Sequence, residues 1–290
     1  MIRRIAATLT MLLGITLVTF VLIEASPGDP ALVRSGLKGI AADNRALLGL
    51  DRPLPKRYLE WLTHSARLDF GRSLTDGRWV RSRIAEALPT TALLAFAALF
   101  VGFASALVLG VWSALHRHTR RATLLDGALA LLYGTPAMAT ALLLLRLGAP
   151  YGSVGFAPVV CLALPSLVTL TRHQHTALVE VLGADYLRTA RAKGASEWTV
   201  LIRHALRNAL FPTVTVVSNQ LPVLLSGSIL IEQVFGLHGM GQLAFDALAA
   251  RDYPLLMGIA SVSAVITLLA VQATELCYAL IDPRLRKAAP

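Results

Sequence analysis

Six apolar stretches, separated by arginine-rich or proline- and glycine-rich segments, set the plan of this chain. Ile5–Ile23 carries no charge and is flanked by Arg3-Arg4 and Glu24. Leu88–Leu115 is a second charge-free run, and Leu124–Leu145 a third with Asp126 near one end. Val154–Thr171 is a shorter fourth run, interrupted by Pro158 and Pro165. Ala209–Ile231 is the fifth, containing Pro212, Pro222 and Gly227, and Leu255–Ile281 is the sixth, with Glu275 as its only charge. About 20 apolar residues suffice for a helix to cross the hydrocarbon core. The pattern therefore predicts an all-α membrane protein with six transmembrane helices. Proline and glycine are tolerated in such helices where neighbours re-satisfy the backbone, which places runs four and five inside a bundle. A basic start before an apolar run also opens a secretory signal, but Ile5–Ile23 exceeds a signal's apolar core. A retained first helix is expected.

Composition agrees. Of 290 residues, 55% are hydrophobic and only 15% charged, and mean hydropathy is +0.62. An average soluble chain carries about 25% charged residues, and one this apolar would lack polar surface to cover itself. A cytosolic enzyme is excluded on that ground. The net charge of +10, from 27 Lys and Arg against 17 Asp and Glu, would suggest nucleic acid in a soluble protein. In a membrane protein it reflects basic cytoplasmic loops. With the N-terminus inside, cytoplasmic segments hold Arg3, Arg4, Arg117, Arg120, Arg121, Arg172, Arg188, Arg191, Lys193, Arg203, Arg207, Arg284, Arg286 and Lys287, whereas the short outer loops hold Arg146 and Arg251. Both termini are expected in the cytoplasm. The organisation that follows is a first helix over 1–23, an extracytoplasmic segment over 24–87, and a five-helix core over 88–290. Cys161 and Cys277 both fall in apolar runs, so no disulfide framework is implied.

Two segments exceed plain connections. The outer one opens with the turn Ser26-Pro27-Gly28-Asp29-Pro30 and continues through an amphipathic stretch, Tyr58-Leu59-Glu60-Trp61-Leu62. Trp61, Phe70 and Trp79 suit a membrane interface. This segment reads as a folded cap, a docking platform, or both. The inner one, 173–208, predicts a short helix over Tyr186–Lys193 closed by Gly194 at its C′ position. Ser196 then caps a second helix through Trp198, Val200, Leu201, Ile202 and Leu206. Such a helix–glycine–helix elbow at the cytoplasmic face reads as a lever for another protein to push.

Several chemistries are absent from the sequence. No phosphate-cradling Gly-x-x-x-x-Gly-Lys motif occurs, and neither metalloprotease nor serine-hydrolase signatures are present. The close histidine pairs His116/His118 and His173/His175 lie beside arginines, without acidic or thiolate help, and are read as solvated or headgroup-facing. Gln272 and Glu275 in the last span are expected to face the bundle interior.

The stretch from Asp185 through Tyr186, Leu187, Arg188, Thr189, Ala190, Arg191, Ala192, Lys193, Gly194 and Ala195 to Ser196 resembles the cytoplasmic "Glu-Ala-Ala" loop of ABC importer permeases, in the dipeptide/oligopeptide/nickel form. The sequences Arg203–Pro212, Ser26–Pro30, Asp69–Leu74, Glu232–Gly241, Arg251–Pro254 and Asp282–Arg284 resemble the same family, in the same order. The early turn and long first outer segment are similar to the first of its two paired permeases. Arg188 and Thr189 stand where the loop's glutamate and first alanine give it its name, and the loop around Leu147–Ser153 is shorter than usual. The resemblance implies a type I ABC importer permease fold and a non-catalytic subunit. Its partners would be a second permease, two ATPase subunits and an extracytoplasmic binding protein, within lipid and without nucleic acid. ATP and Mg2+ would sit on the ATPases and no cofactor on this chain. The resemblance further implies that Asp185, Arg188, Ala190, Lys193, Gly194, Ala195 and Ser196 couple to the ATPase. Ser218, Asn219, Gln220 and Ser226, at the polar breaks of the fifth run, are candidates for a substrate pathway. An ion-coupled secondary transporter is the rival class; it calls for internal repeats and intramembrane ionisable groups, for which Asp126 and Glu275 are the candidates.

Overall fold

The structure, a computed structural model, describes residues 2–25 and 52–281. The turn at Ser26–Pro30 and the closing Asp282–Arg284 lie outside those residues. Helices dominate: α1 (Ile2–Ala25), α2 (Leu54–Ser65), α3 (Val80–Leu115), α4 (Arg120–Gly134), α5 (Ala137–Arg146), α6 (Phe156–Leu182), α7 (Asp185–Ala192), α8 (Glu197–Thr199), a π-helical stretch (Val200–Leu206), α9 (Arg207–Phe235), α10 (Met240–Ala249) and α11 (Tyr253–Ile281). Among the described residues four helices are long and apolar enough to cross a membrane, or five if α4 and α5 form one broken span. The fifth apolar run falls within α9, a helix of 29 residues.

Two expectations are corrected. The run Leu124–Leu145 is not one rod: α4 and α5 meet at 91°. Pro136 is the cause, because its ring excludes the preceding residue from the helical region, and Thr135 is extended at φ −81°, ψ 122°. Helix also fills the first part of the segment expected over 173–208. Helix α6 continues past Arg172 and His173 to Leu182, because Gln174, Ala177 and Leu178 on its other face are buried.

Tertiary contacts divide the chain into two compact units. One comprises Met1–Thr91 with His238–Leu269. Its core gathers Val80, Ile84 and Ala87 of α3 with Leu243 and Ala247 of α10 and Leu255 and Ile259 of α11. Phe70 belongs to this core, at 9% exposure, and not to a membrane interface. In the same unit Tyr58 of α2 meets Thr16 of α1 at 3.0 Å, and Arg57 pairs with Glu24 at 2.6 Å.

The other unit comprises Ala92–Leu237 with Ala270–Pro290. It holds two apolar clusters on α3, roughly 24 Å apart for the 16 residues between Ala98 and Ala114. The first joins Leu94 and Ala98 to Cys161 and Leu162 of α6 and to Leu224, Ile231 and Phe235 of α9. The second joins Ala114 to Ala177 and Leu178 of α6, Leu187 of α7, and Val200, Ala205 and Ala209. This second cluster anchors the elbow.

Candidate functional site: the helix–glycine–helix elbow

Helix α7 is only eight residues long and could not persist unaided. Asp185 in its first turn complements the helix dipole and pairs with Arg188 at 3.4 Å. Leu187 and Val200 are fully buried, each worth about 1.5–3 kcal/mol relative to exposure. Burial of these two side chains fixes the elbow to α3 and α6 more firmly than an exposed ion pair does.

The turn is closed by backbone bonds. Gly194 is left-handed at φ +84°, its N–H donates to the Arg191 carbonyl at 2.9 Å, and the Ala195 N–H donates to the Ala190 carbonyl at 3.2 Å. These two bonds form a Schellman closure. Ser196 then caps the next helix, its Oγ accepting from the Thr199 N–H at 3.3 Å. Across the turn, Arg191 Nε and Nη2 donate to the two Glu197 carboxylate oxygens at 2.8 and 3.3 Å. This pair raises the Arg191 pKa further above its ordinary value.

The second arm of the elbow does not end at Leu206. Val200 and Arg207, at the two junctions, both keep right-handed helical angles. Helix α8, the π-helical stretch and α9 are therefore one uninterrupted rod from Glu197 to Phe235. Wider turns of this kind within α-helices are frequent at functional sites.

The structure brings the expected coupling residues to one place. Asp185, Arg188, Lys193, Gly194 and Ser196 are exposed, while Ala190 and Ala195 are half-buried against the elbow's cluster. Reading of the sequence missed what separates the apolar residues of the second arm. Val200 is buried, but Trp198 is 72% exposed, with Ile202 and Tyr186 also open. Helical spacing of Trp198 with Ile202, set against Val200, carried that signal.

The pathway candidates divide. Gln220 Oε1 accepts from Ser166 Oγ of α6 at 3.0 Å, and a second rung joins Thr213 Oγ1 to Gln174 Oε1 at 2.7 Å. Gln220 thus belongs to a polar seam between α6 and α9. Asn219 is exposed, and the side chains of Ser218 and Ser226 lie outside the described set. Of the histidines, His175 Nδ1 meets Ser113 Oγ at 2.6 Å and His116 stacks on Trp112. Asp126 is exposed.

Two motifs far apart in sequence meet in the first unit. The Asp252 carboxylate is fully buried. Its Oδ2 accepts from Ser73 Oγ, from the Thr75 N–H at 3.2 Å and from Thr75 Oγ1 at 3.0 Å, and its Oδ1 accepts from the Leu255 N–H at 3.3 Å. Asp252 thus starts α11 and ties it to the turn at Ser73 and Thr75, so both motifs have a structural role here.

The chain is similar to known proteins along most of its length. Residues 106–287 match the family described as binding-protein-dependent transport system inner membrane component, and residues 1–95 match its N-terminal companion. A peptide permease protein of Brucella suis is 37% identical over 317 aligned residues, covering 98% of both chains. The oligopeptide transport system permease protein AppB of Bacillus subtilis is 32% identical, again over 98% of both. The dipeptide transport system permease protein DppB of Escherichia coli is 30% identical with the same coverage. Among solved structures, the inward-facing MetNI methionine ABC transporter aligns with a TM-score of 0.62 at 17% identity, over 69% of this chain and 96% of that one. That likeness concerns the fold.

Proposed function

The chain belongs to the binding-protein-dependent transport system inner membrane components, and on that premise we propose that it imports peptides as one of two paired permeases driven by ATP hydrolysis on other subunits. It is a non-catalytic, multi-pass permease subunit of an ABC importer. Relatives named for dipeptides and oligopeptides support peptides as the cargo. In this reading two ATPase subunits act from the cytoplasm, where both termini lie, and an extracytoplasmic binding protein delivers the cargo.

The observation that carries the mechanism is the continuity of the rod from Glu197 to Phe235. Closure of the ATPases presses on the elbow's exposed face, where Asp185, Arg188, Lys193 and Ser196 give polar contacts and Trp198 an apolar one. Buried Leu187 and Val200 prevent the elbow from yielding, and the Schellman turn at Gly194 fixes the angle between its arms. The push therefore reaches α9 as a displacement of the whole helix. Ser218, Asn219, Gln220 and Ser226 then line or gate the pathway. Exposed Asn219 contacts cargo, and Gln220 exchanges its bond to Ser166 as α9 moves.

The test is reconstitution with a second permease, the two ATPases and a binding protein in vesicles. Uptake of labelled di- and oligopeptides should require ATP, and loaded binding protein should raise hydrolysis. Hydrolysis by the purified chain alone, or uptake driven by an ion gradient without ATPases, would overturn the reading.

A further inference from the structure

The outer segment carries an arginine–tryptophan cluster that the elbow mechanism does not use. Residues 71–80 fold back as a tight hairpin: the Ser73 N–H donates to the Arg78 carbonyl at 2.9 Å and the Val80 N–H to the Gly71 carbonyl at 3.1 Å. Trp79 closes the hairpin opposite Arg72 and stays 42% exposed. The Arg72 guanidinium lies 4.3 Å from the Trp79 ring centroid, and that of Arg81 lies 5.4 Å from it. Both distances allow cation–π attraction, which preorganises the two cations around one ring.

Four arginines crowd this surface, but they are not equivalent. Arg78 pairs with Glu86 and Arg83 with Asp76. Arg72 donates to the Gly77 carbonyl at 3.1 Å, and neither it nor Arg81 meets a carboxylate among the described residues. The hairpin base is rigid, since Phe70 and Val80 are buried and Ser73 is held by the Asp252 carboxylate. An exposed tryptophan between two guanidiniums that meet no carboxylate among the described residues, on a rigid base, has the make-up of an interface anchor, where Trp and Arg are enriched.

The site's height selects its partner. Helix α3 has 36 residues, roughly 54 Å of rod against a hydrocarbon core of about 30 Å. Its charge-free part begins only at Leu88, so Trp79 stands at least about 12 Å beyond that run. A headgroup layer adds only about 5–8 Å on each side. On the orientation proposed above, the cluster therefore projects past the lipid, into the space where a delivered protein arrives.

We propose that Trp79, Arg72 and Arg81 form a docking anchor for the extracytoplasmic binding protein, which meets them with surface carboxylates. The proposal rests on the importer reading above. The attraction steers encounter and sets the affinity of docking, and the tryptophan supplies the buried contact.

The experiment uses the assembled importer in nanodiscs, with ATP hydrolysis measured against the concentration of the binding protein that stimulates the wild type. Each variant is first shown to copurify with its partner subunits. Arg81→Glu should raise the half-stimulating concentration about tenfold, and Arg72→Glu/Arg81→Glu further, with the maximal rate retained. Trp79→Ala should act in the same direction. Raising the salt concentration should weaken the wild type more than Arg81→Gln. Because Arg72 also bonds the hairpin, Arg81→Glu is the deciding variant: a half-stimulating concentration within twofold of wild type overturns the proposal. A loss that appears only in discs containing phosphatidylglycerol, and not in phosphatidylcholine alone, assigns the cluster to lipid headgroups and also overturns it. Failure of the importer reading is distinguishable, because then no peptide-binding protein stimulates the wild type.

Discussion

Gly194 and Gly236 end helices in the same way and differ in what surrounds them. Both are left-handed, at φ +84° and +64°. Both close with the same bond pair, since the Gly236 N–H donates to the Gln233 carbonyl and the Leu237 N–H to the Glu232 carbonyl, as Gly194 and Ala195 do at the elbow. A Cβ on Gly194 would meet nothing within 4 Å, whereas one on Gly236 would collide with the Tyr151 ring. The loop carrying Tyr151 is also tied to this helix end, through the Gly152 N–H and the Phe235 carbonyl at 2.8 Å. One glycine serves chain direction alone and leaves its surface open. The other serves chain direction and close packing together. An open, rigid turn is what a surface needs if a partner presses on it.

The largest effect tests the open turn. A β-branched residue in the left-handed region is a genuine outlier, so Gly194→Val should distort the elbow without touching any span. Assembly should survive, while uptake and the stimulation of hydrolysis by loaded binding protein should fall tenfold or more in vesicles. Normal transport by this variant would reduce the elbow to a loop.

Gly236→Ala comes next and should act on stability. The left-handed conformation costs a non-glycine residue about 1–2 kcal/mol, and displacing Tyr151 adds to this, for about 2–3 kcal/mol in all with the overpacking term at its low end. Tyr151 is exposed and can swing aside, so the cost should stop well short of unfolding. Thermal unfolding of Gly236→Ala, Gly194→Ala and each combined with Tyr151→Ala separates the parts. Removing the ring should bring the two glycine variants to similar losses. If they already match with Tyr151 present, the packing half of the comparison is wrong.

How much of this was legible in the sequence depends on whether the cause was local. The Gly194 stop and the Ser196 cap are local chemistry, and each appears at its expected residue. The helix boundary at Leu115 follows the end of an apolar run. The 91° bend between α4 and α5 was legible in principle from Thr135-Pro136, but an unbroken apolar run masks a proline when hydropathy alone is read. Long-range pairing gave no local signal. Ser73 and Asp252 stand 179 positions apart, and nothing in either motif names the other. Phe70 reads as an interfacial aromatic until α10 and α11 are known to cover it. The exposure of Trp198 likewise depends on which side of the rod α3 and α6 occupy.

Asparagine sharpens the contrast with a smaller effect. Its side chain tolerates the left-handed region better than other non-glycine residues. Gly194→Asn should retain at least about half of the stimulated hydrolysis, since the space beside it is open. Gly236→Asn still has to move Tyr151 and should lose stability like the alanine variant. Equal tolerance at the two sites, measured by unfolding and uptake together, would break the distinction.

The smallest effect concerns the ion pair across the open turn. Arg191 and Glu197 are linked by two hydrogen bonds, but both are exposed, and exposed pairs add little to stability. The pair also offers no pH switch through its base. The guanidinium is held above its ordinary value, so its contribution fades only as the pH rises beyond that already high range. If backbone closure at Gly194 and burial of Leu187 and Val200 define the elbow, Glu197→Gln should leave stimulated hydrolysis within about twofold of wild type. Added salt should shrink even that difference, because exposed charges are screened. Leu187→Ala, which empties a buried position, should cost more than the charge variant in both unfolding and coupling. Should Glu197→Gln uncouple the importer as fully as Gly194→Val, the turn is held by its charges and not by its glycine, and the contrast with Gly236 loses its basis.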